Sequence, residues 1–165
     1  MSSGHRIFIF SAIIVTIIDQ ITKVWITAEF ILYEVKTIIP GFFNIIHIRN
    51  KGMAFGIFSK SENIIPFYII TGISIILIIV LTYWFISENP DSSVMKIGGG
   101  FILGGATGNL IDRIRLGEVI DFLDFYMKTW HWPAFNVADA AINIGVSIII
   151  ISVYKENFSV KKLLS

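Results

Sequence analysis

Long apolar segments dominate this chain and are separated by shorter polar stretches. Crossing the hydrocarbon core of a bilayer takes about 20 predominantly apolar residues in a helix. Four segments reach or approach that length, at residues 7–28, 64–86, 94–112 and 137–154. The pattern therefore predicts an α-helical integral membrane protein with four transmembrane helices, in a single domain that covers residues 1–165.

The two longer connections, at residues 29–63 and 113–136, carry a different pattern. Residues 43–49 are β-branched and aromatic and lie between two turn signals, which predicts a short strand or hairpin at the membrane surface. The second connection carries an aromatic set typical of a membrane interface. Anchoring in the interface and contact with a substrate are both compatible with these side chains, Tyr126, Trp130, Trp132 and Phe135.

Carboxylates interrupt the apolar pattern. An Asp at the centre of a membrane helix costs about 2.5–3.5 kcal/mol, and such residues are kept where they do chemistry, move ions or pair with a cation. The acids in question are Asp19, Asp112, Asp121, Asp124 and Asp139.

Connectivity brings most of these acids to one membrane face. With four spans, the first and third end at the face where the second and fourth begin. Asp19 lies about twelve residues, or about 18 Å, into the first span, in the half nearer that face. We therefore expect five charged residues to converge there, whichever way round the protein sits: Asp19, Lys23, Asp112, Asp121 and Asp139.

Composition narrows the classes of function. With 55% hydrophobic residues, a mean hydropathy of +0.76 and a net charge of +1, the chain resembles neither a soluble domain nor a nucleic-acid-binding protein. The absence of Cys excludes disulfides and thiol catalysis. The N-terminal apolar run is followed by Asp19 and Gln20 instead of a small-residue cleavage site, so we expect it to be a retained span. Lys and Arg are distributed too evenly between the two predicted membrane faces to show which face is cytoplasmic.

Two of the polar groups have a structural interpretation. Asp19 and Lys23 are spaced i, i+4 and can form a neutralised pair that eases insertion of the first span. Asp112 lies at a helix C-terminus, where the helix dipole disfavours an anion, so it needs Arg113 or Lys23 as a partner. Small residues recur every four positions in the third span, which predicts close helix packing along Gly100, Gly104 and Gly108.

Asp121 and Asp139 differ in their surroundings. Asp121 has apolar neighbours, and burial raises the pKa of a carboxyl. Asn136 and Asp139 fit an N-cap and N3 pair at the start of the fourth span, where the helix dipole favours an anion. Capping alone would explain Asp139, but unequal environments also assign acid and base roles in carboxylate catalysis. Asp124, three residues after Asp121, can face another way.

Other catalytic classes lack their residues. The three histidines, His5, His47 and His131, do not have metal-ligand spacing, and no Gly-x-Ser-x-Gly motif occurs. No metal and no organic cofactor is expected.

Five short motifs occur in order along the chain, and together they are far more specific than any one of them alone. They are DQITK at 19–23, NKGMAF at 50–55, GGATGNLIDR at 104–113, VIDF at 119–122 and FNVAD at 135–139. On these motifs the chain resembles the lipoprotein signal peptidases (signal peptidase II), membrane aspartic peptidases of bacteria. One departure is Ala140, where Ser is frequent in that family.

The resemblance implies that Asp121 and Asp139 are the catalytic pair. It implies a supporting polar shell or substrate-binding role for Asp19, Lys23, Asn50, Gly52, Asn109, Asp112, Arg113, Asn136 and Ala138. The implied substrate is a diacylglyceryl-modified prolipoprotein, cut just before its lipidated Cys without metal or cofactor.

The resemblance also implies a location and partners. Both termini would be cytoplasmic, and the site would lie at the extracytoplasmic face of the bacterial plasma (inner) membrane under a small β-containing cradle. The expected partners are the substrate and membrane lipid, with no nucleic acid, and the expected state is a monomer.

Two further functions compete on the residues alone. Intramembrane Asp and Lys also mark ion paths, so a proton-coupled transporter or channel is the runner-up. A non-enzymatic assembly subunit would use the glycine stripe as its interface. The carboxylates crowd one face instead of lining a path through the membrane, which favours the peptidase.

Overall fold

The computed structural model describes residues 3–51 and 65–164. Within them, four helices and four strands follow in the order α1-β1-β2-α2-α3-β3-β4-α4. The helices are α1 (Ser3–Glu29), α2 (Ile65–Glu88), α3 (Ser93–Leu116) and α4 (Val137–Leu164). The strands are β1 (Val35–Ile39), β2 (Phe43–Asn50), β3 (Val119–Met127) and β4 (Trp130–His131).

Helix α3 packs between α1 and α4 because glycines line two of its sides. A Cβ added at Gly100 or Gly104 would lie 2.6 Å or 2.5 Å from a backbone carbonyl oxygen of α1. A Cβ at Gly98 would lie 3.0 Å from the carbonyl oxygen of Gly145 on α4, and one at Gly105 would overlap that of Ala138. The predicted stripe is thus confirmed as a packing surface, and the α4 side of α3 adds a second one.

Three described helices are long and apolar enough to cross a membrane: His5–Glu29, Phe67–Glu88 and Val137–Lys155. Helix α3 is not among them, because glycines and polar side chains lower its hydropathy while its neighbours shield it. Its 24 residues still span about 36 Å. The predicted span at residues 94–112, and with it the count of four spans, therefore stays a prediction. Helix α4 also continues to Leu164, ten residues beyond the predicted end of its span.

The strands form one antiparallel sheet in the order β1-β2-β3-β4. The strand predicted at residues 43–49 is confirmed as β2. Strand β3 was not predicted as a strand, because its run of apolar residues does not alternate cleanly with polar ones. It pairs with β2 so that Ile48 lies opposite Asp121 and Asn50 opposite Val119.

A hydrophobic cluster fixes the sheet on the helices. Ile26 and Phe30, at the end of α1, pack against Ile120 and Phe122 of β3. These two β3 residues flank Asp121, so the cluster also determines where that carboxyl is placed.

Candidate active site

A buried lysine joins α1 and α3. The Lys23 Nζ lies 2.9 Å from Asp19 Oδ2 and 2.8 Å from Asp112 Oδ2, and it donates to Asn109 Oδ1 at 3.0 Å. The three charged side chains are at most 2% exposed. Gln20 adds an amide that donates to Asp112 Oδ1 at 3.0 Å. The ion pair predicted within α1 is confirmed, and it is one half of a larger cluster.

The same carboxylates reach the other elements of the site. Asp19 Oδ1 accepts a hydrogen bond from the backbone N–H of Ala138 at 2.9 Å, which ties α1 to α4. Asp112 Oδ2 accepts from the backbone N–H of Ile120 at 3.3 Å, which ties α3 to β3. Both acids are therefore saturated with partners, as expected of structural acids.

Asn136 and Asp139 form the predicted cap at the start of α4. The Asp139 N–H donates to Asn136 Oδ1 at 2.9 Å, and the Asn136 N–H donates to Asp139 Oδ2 at 3.3 Å. The second Asp139 oxygen, Oδ1, accepts from Asn109 Nδ2 at 2.8 Å. The neighbouring Asn136 thus holds the Oδ2 atom of Asp139, and Asn109 of α3 holds its Oδ1 atom.

Asp121 lies on β3 and is 2% exposed. Its Oδ1 accepts from Asn136 Nδ2 at 2.7 Å, and its Oδ2 accepts from Asn50 Nδ2 at 2.9 Å. Burial, and after it the negative charge of Asp139, raises the pKa of Asp121 to about 7, although both amide hydrogen bonds act in the opposite direction. Asp121 can therefore exchange a proton near neutral pH.

The two carboxyls share a partner and a cavity. Asn136 contacts both, Asp121 through its amide Nδ2 and Asp139 through its backbone and Oδ1. A cavity of about 340 Å³ has both acids in its wall. Its other lining residues are Asn50, Asn109, Arg113, Val119, Trp132, Pro133, Ala134, Phe135, Ala140, Asn143 and Ile144.

A second cavity approaches the same acids from within the helices. It has a volume of about 260 Å³ and a mostly apolar lining from α2, α3 and α4, and it shares Asn109, Arg113 and Asp139 with the first. The apolar groove between the helices and the cavity that holds the two acids therefore meet at Asn109, Arg113 and Asp139.

Most residues predicted for the site come together here. Asp19, Lys23, Asn50, Asn109, Asp112, Asn136 and Ala138 make the contacts given above, and Arg113 donates to the carbonyl of Asn109 at 3.4 Å. Gly52 lies outside the described residues. Asp124 does not join Asp121: it contacts Asn44 and His131 instead, on the other side of β3.

Two polar residues of the site were missed. Gln20, which belongs to the first motif and donates to Asp112, carries the signal of an amide within an apolar span. Asn143 has no comparable signal, because only its place on α4, four residues after Asp139, brings it to the cavity. Trp132 and Phe135, for which the aromatic pattern leaves substrate contact open, do line the cavity, whereas Pro133 and Ala134 carry no such signal.

The apolar helices define a multi-pass membrane protein. The two carboxyls in one cavity are the acid and base groups that a hydrolase can use. A family model described as signal peptidase (SPase) II matches residues 11–155. The chain belongs to this family of peptidases, which confirms the resemblance drawn from the five motifs.

Individual relatives agree with the family. The chain is 41% identical over 151 residues to a lipoprotein signal peptidase of Syntrophotalea carbinolica, covering 92% of each chain. It is 42% identical over 156 residues to one of Geobacter sulfurreducens, covering 94% of this chain and 96% of the other. A solved structure described as a bacterial membrane enzyme matches with a TM-score of 0.79 and 37% identity, over 91% of this chain and 88% of that one.

Proposed function

We propose that this chain is an aspartic endopeptidase that removes the signal peptide from diacylglyceryl-modified prolipoproteins, cutting just before the lipidated Cys. The observation that carries the proposal is the placement of Asp121 and Asp139 in one cavity with Asn136 in contact with both. Relatives named lipoprotein signal peptidases, at about 40% identity over most of the chain, support the class of substrate.

The pair works with one proton. Two carboxyls close together do not both ionise cheaply, so one remains an acid and the other an anion. The surroundings of Asp121 favour its acid form, whereas the positive end of the α4 dipole stabilises an anionic Asp139.

Hydrolysis then needs only water. The Asp139 carboxylate takes a proton from a water molecule, whose oxygen attacks the scissile carbonyl carbon. Asp121 gives its proton to the carbonyl oxygen as the tetrahedral intermediate forms. Collapse returns that proton to Asp121, breaks the C–N bond and transfers the proton held by Asp139 to the leaving amine. No acyl-enzyme forms.

The supporting residues hold this geometry. Asn109 and Asn50 each donate to one oxygen of the pair, and Lys23 with Asp19 and Asp112 anchors α1, α3 and α4 around it. Arg113 lines both cavities and places a positive charge beside the developing oxyanion.

The groove between α2, α3 and α4 suits the apolar part of such a substrate. Its lipid or the apolar segment of its signal peptide would remain at membrane depth while the peptide bond reaches the cavity that holds Asp121 and Asp139. This arrangement fits a monomeric protein of four spans in one domain, with cytoplasmic termini and the sheet at the extracytoplasmic face of the bacterial inner membrane.

A cleavage assay tests the proposal. Purified protein in detergent should cleave a synthetic diacylglyceryl lipopeptide on the amino side of its Cys without added metal, and EDTA should not inhibit. The same peptide without lipid is the control for substrate class. Loss of activity in EDTA that Zn²⁺ restores would contradict the mechanism, and absence of cleavage would contradict the function.

A further inference from the structure

One buried carboxyl on β3 has no place in the mechanism above. Asp124 is 5% exposed and follows Asp121 by three residues, so the two side chains leave the strand on opposite faces. Its Oδ2 accepts a hydrogen bond from Asn44 Nδ2 on β2 at 2.8 Å. Its oxygens lie 2.9 Å and 3.1 Å from His131 Nδ1 on β4. Asp124 therefore connects three strands through two polar contacts.

His131 has few other contacts to hold it. Strand β4 is only two residues long and pairs with Tyr126 and Met127 alone. The His131 ring is half exposed and stacks on the ring of Tyr126, with centroids 5.1 Å apart and planes 12° apart. The contact with the buried, oriented Asp124 carboxylate is thus the main polar restraint on this side chain. Hydrogen bonds to an ionised acceptor are stronger than neutral ones.

The chain after His131 forms a wall of the active-site cavity. The backbone N–H of Trp132 donates to Phe125 O at 2.8 Å. The backbone N–H of Phe135 donates to Leu123 O at 3.1 Å, and that of Leu123 donates to Phe135 O at 2.8 Å. Between these two anchors lie Pro133, which has no N–H to donate, and Ala134. All four residues of the segment 132–135 line the cavity that holds Asp121 and Asp139.

The Asp124–His131 pair therefore acts at the start of this wall. Its end is already fixed, because Asn136 follows Phe135 directly and binds both carboxyls. A displacement of His131 would move residues 132–134 without moving the acids themselves.

We propose that the Asp124–His131 pair is a positioning device that sets the cavity wall at residues 132–134, and so determines which side chains next to the scissile bond fit. The proposal rests on the peptidase function proposed above. Neither residue touches the substrate; both act through the wall.

Three variants at His131 separate the hydrogen bond from the ring. His131→Phe keeps a ring that can stack on Tyr126 but has no donor. His131→Asn loses the ring, but its Nδ2 takes the position of His Nδ1 and can still donate to Asp124. His131→Leu has neither the donor nor the ring and is the substitute if His131→Phe does not fold.

Steady-state kinetics on a lipopeptide series test the role. The peptides differ only in the residues on either side of the cut. We expect His131→Phe to raise KM about tenfold, as the loss of one charge-assisted hydrogen bond at the wall allows, with kcat within about twofold. The ranking of peptides with small and large flanking residues should change, and His131→Asn should restore both KM and the ranking.

A nitroxide label gives a readout that needs no turnover. Because the natural chain has no Cys, Ala134→Cys provides a single attachment point in the wall. The label should become more mobile in His131→Phe and remain restrained in His131→Asn. A label at Ser87→Cys, at the end of α2, should not respond to either substitution.

The outcomes distinguish the inference from the function it rests on. A wild-type protein that does not cleave the lipopeptide would overturn the proposed function. Cleavage by the wild type, with KM, peptide ranking and label mobility unchanged in His131→Phe, would overturn the positioning role alone. A lower melting temperature with fewer active molecules, but the same KM and ranking, would make the pair merely structural and would also overturn it.

Discussion

The role proposed for Asp121 depends on its place on β3. Asp121 is 2% exposed, and its burial together with the nearby charge of Asp139 raises its pKa. The apolar flanks of Asp121 and the cap formed by Asn136 and Asp139 could be predicted, because both are local in sequence. The amides of Asn50 and Asn109 could not be placed from spacing, because β2 and α3 bring them in from far along the chain.

The pH dependence of cleavage follows from the carboxyl pair. In the proposed mechanism the active form of the pair holds one proton, and the pKa of Asp121 is raised to about 7. Activity should therefore be present below neutral pH and should be lost as pH rises through about 7, as the pair gives up its shared proton. A profile of kcat/KM against pH measures this directly. A kcat/KM that stays constant up to about pH 9 would show that cleavage does not need a carboxyl with a raised pKa.

Lys23 should be worth far more to stability than an exposed lysine. Lys23→Gln leaves Asp19 and Asp112 without their shared cation, and breaking a buried ion pair costs about 3–5 kcal/mol. Lys51→Gln is the matched control, since its pair with Glu118 is exposed and 3.6 Å long, and such pairs contribute about 0–1 kcal/mol. Melting temperatures in detergent compare the two. Equal shifts would mean that the Lys23 cluster does not hold the helices together.

Among the elements, α3 is the one whose packing depends most on glycines, which let its backbone approach α1 and α4 closely. The stripe facing α1 could be predicted from its four-residue spacing. The stripe facing α4 was missed, because Gly98 and Gly105 are seven residues apart and their partners Ala138 and Gly145 lie on another helix. Strand β3 was missed for a related reason: its environment comes from β2 and α1 and leaves no alternating pattern in the sequence.

Substitution of one glycine should test this packing. A Cβ at Gly104 would lie 2.5 Å from the carbonyl oxygen of Ala12, so Gly104→Ala must push α1 and α3 apart. We expect a loss of about 1–3 kcal/mol, seen as a lower melting temperature. The control is Gly72→Ala on α2, where a Cβ would meet no described atom within 4 Å. A Gly104→Ala variant as stable as Gly72→Ala would contradict the close approach.

At the scale of the whole molecule, hydropathy and packing disagree about α3. The three apolar helices present broad lipid-compatible surfaces, whereas α3 buries glycines and polar groups between them. Hydropathy identifies only helices that face lipid, so an enclosed helix can cross the membrane with a weaker signal. The sequence could therefore predict a helical membrane protein, but whether α3 crosses the membrane has to be measured.

Membrane topology provides that measurement. If all four helices cross, Ser87 and Thr129 lie at opposite faces, and both are exposed. In intact bacterial cells, a membrane-impermeant maleimide should label Thr129→Cys, whereas Ser87→Cys should react only after lysis. Labelling of both from outside would contradict the proposed four spans.

The central claim is that Asp121 and Asp139 act as one unit, and the most direct measurement compares turnover with binding in three variants. Asn at either position keeps the shape and can still make hydrogen bonds, but it cannot exchange the proton. Asp121→Asn and Asp139→Asn should each reduce turnover by at least about 10²–10⁴-fold, and the double variant should be hardly worse than either. All three should keep their fold and bind the lipopeptide. Substantial turnover in either single variant, or losses that multiply in the double, would contradict the account.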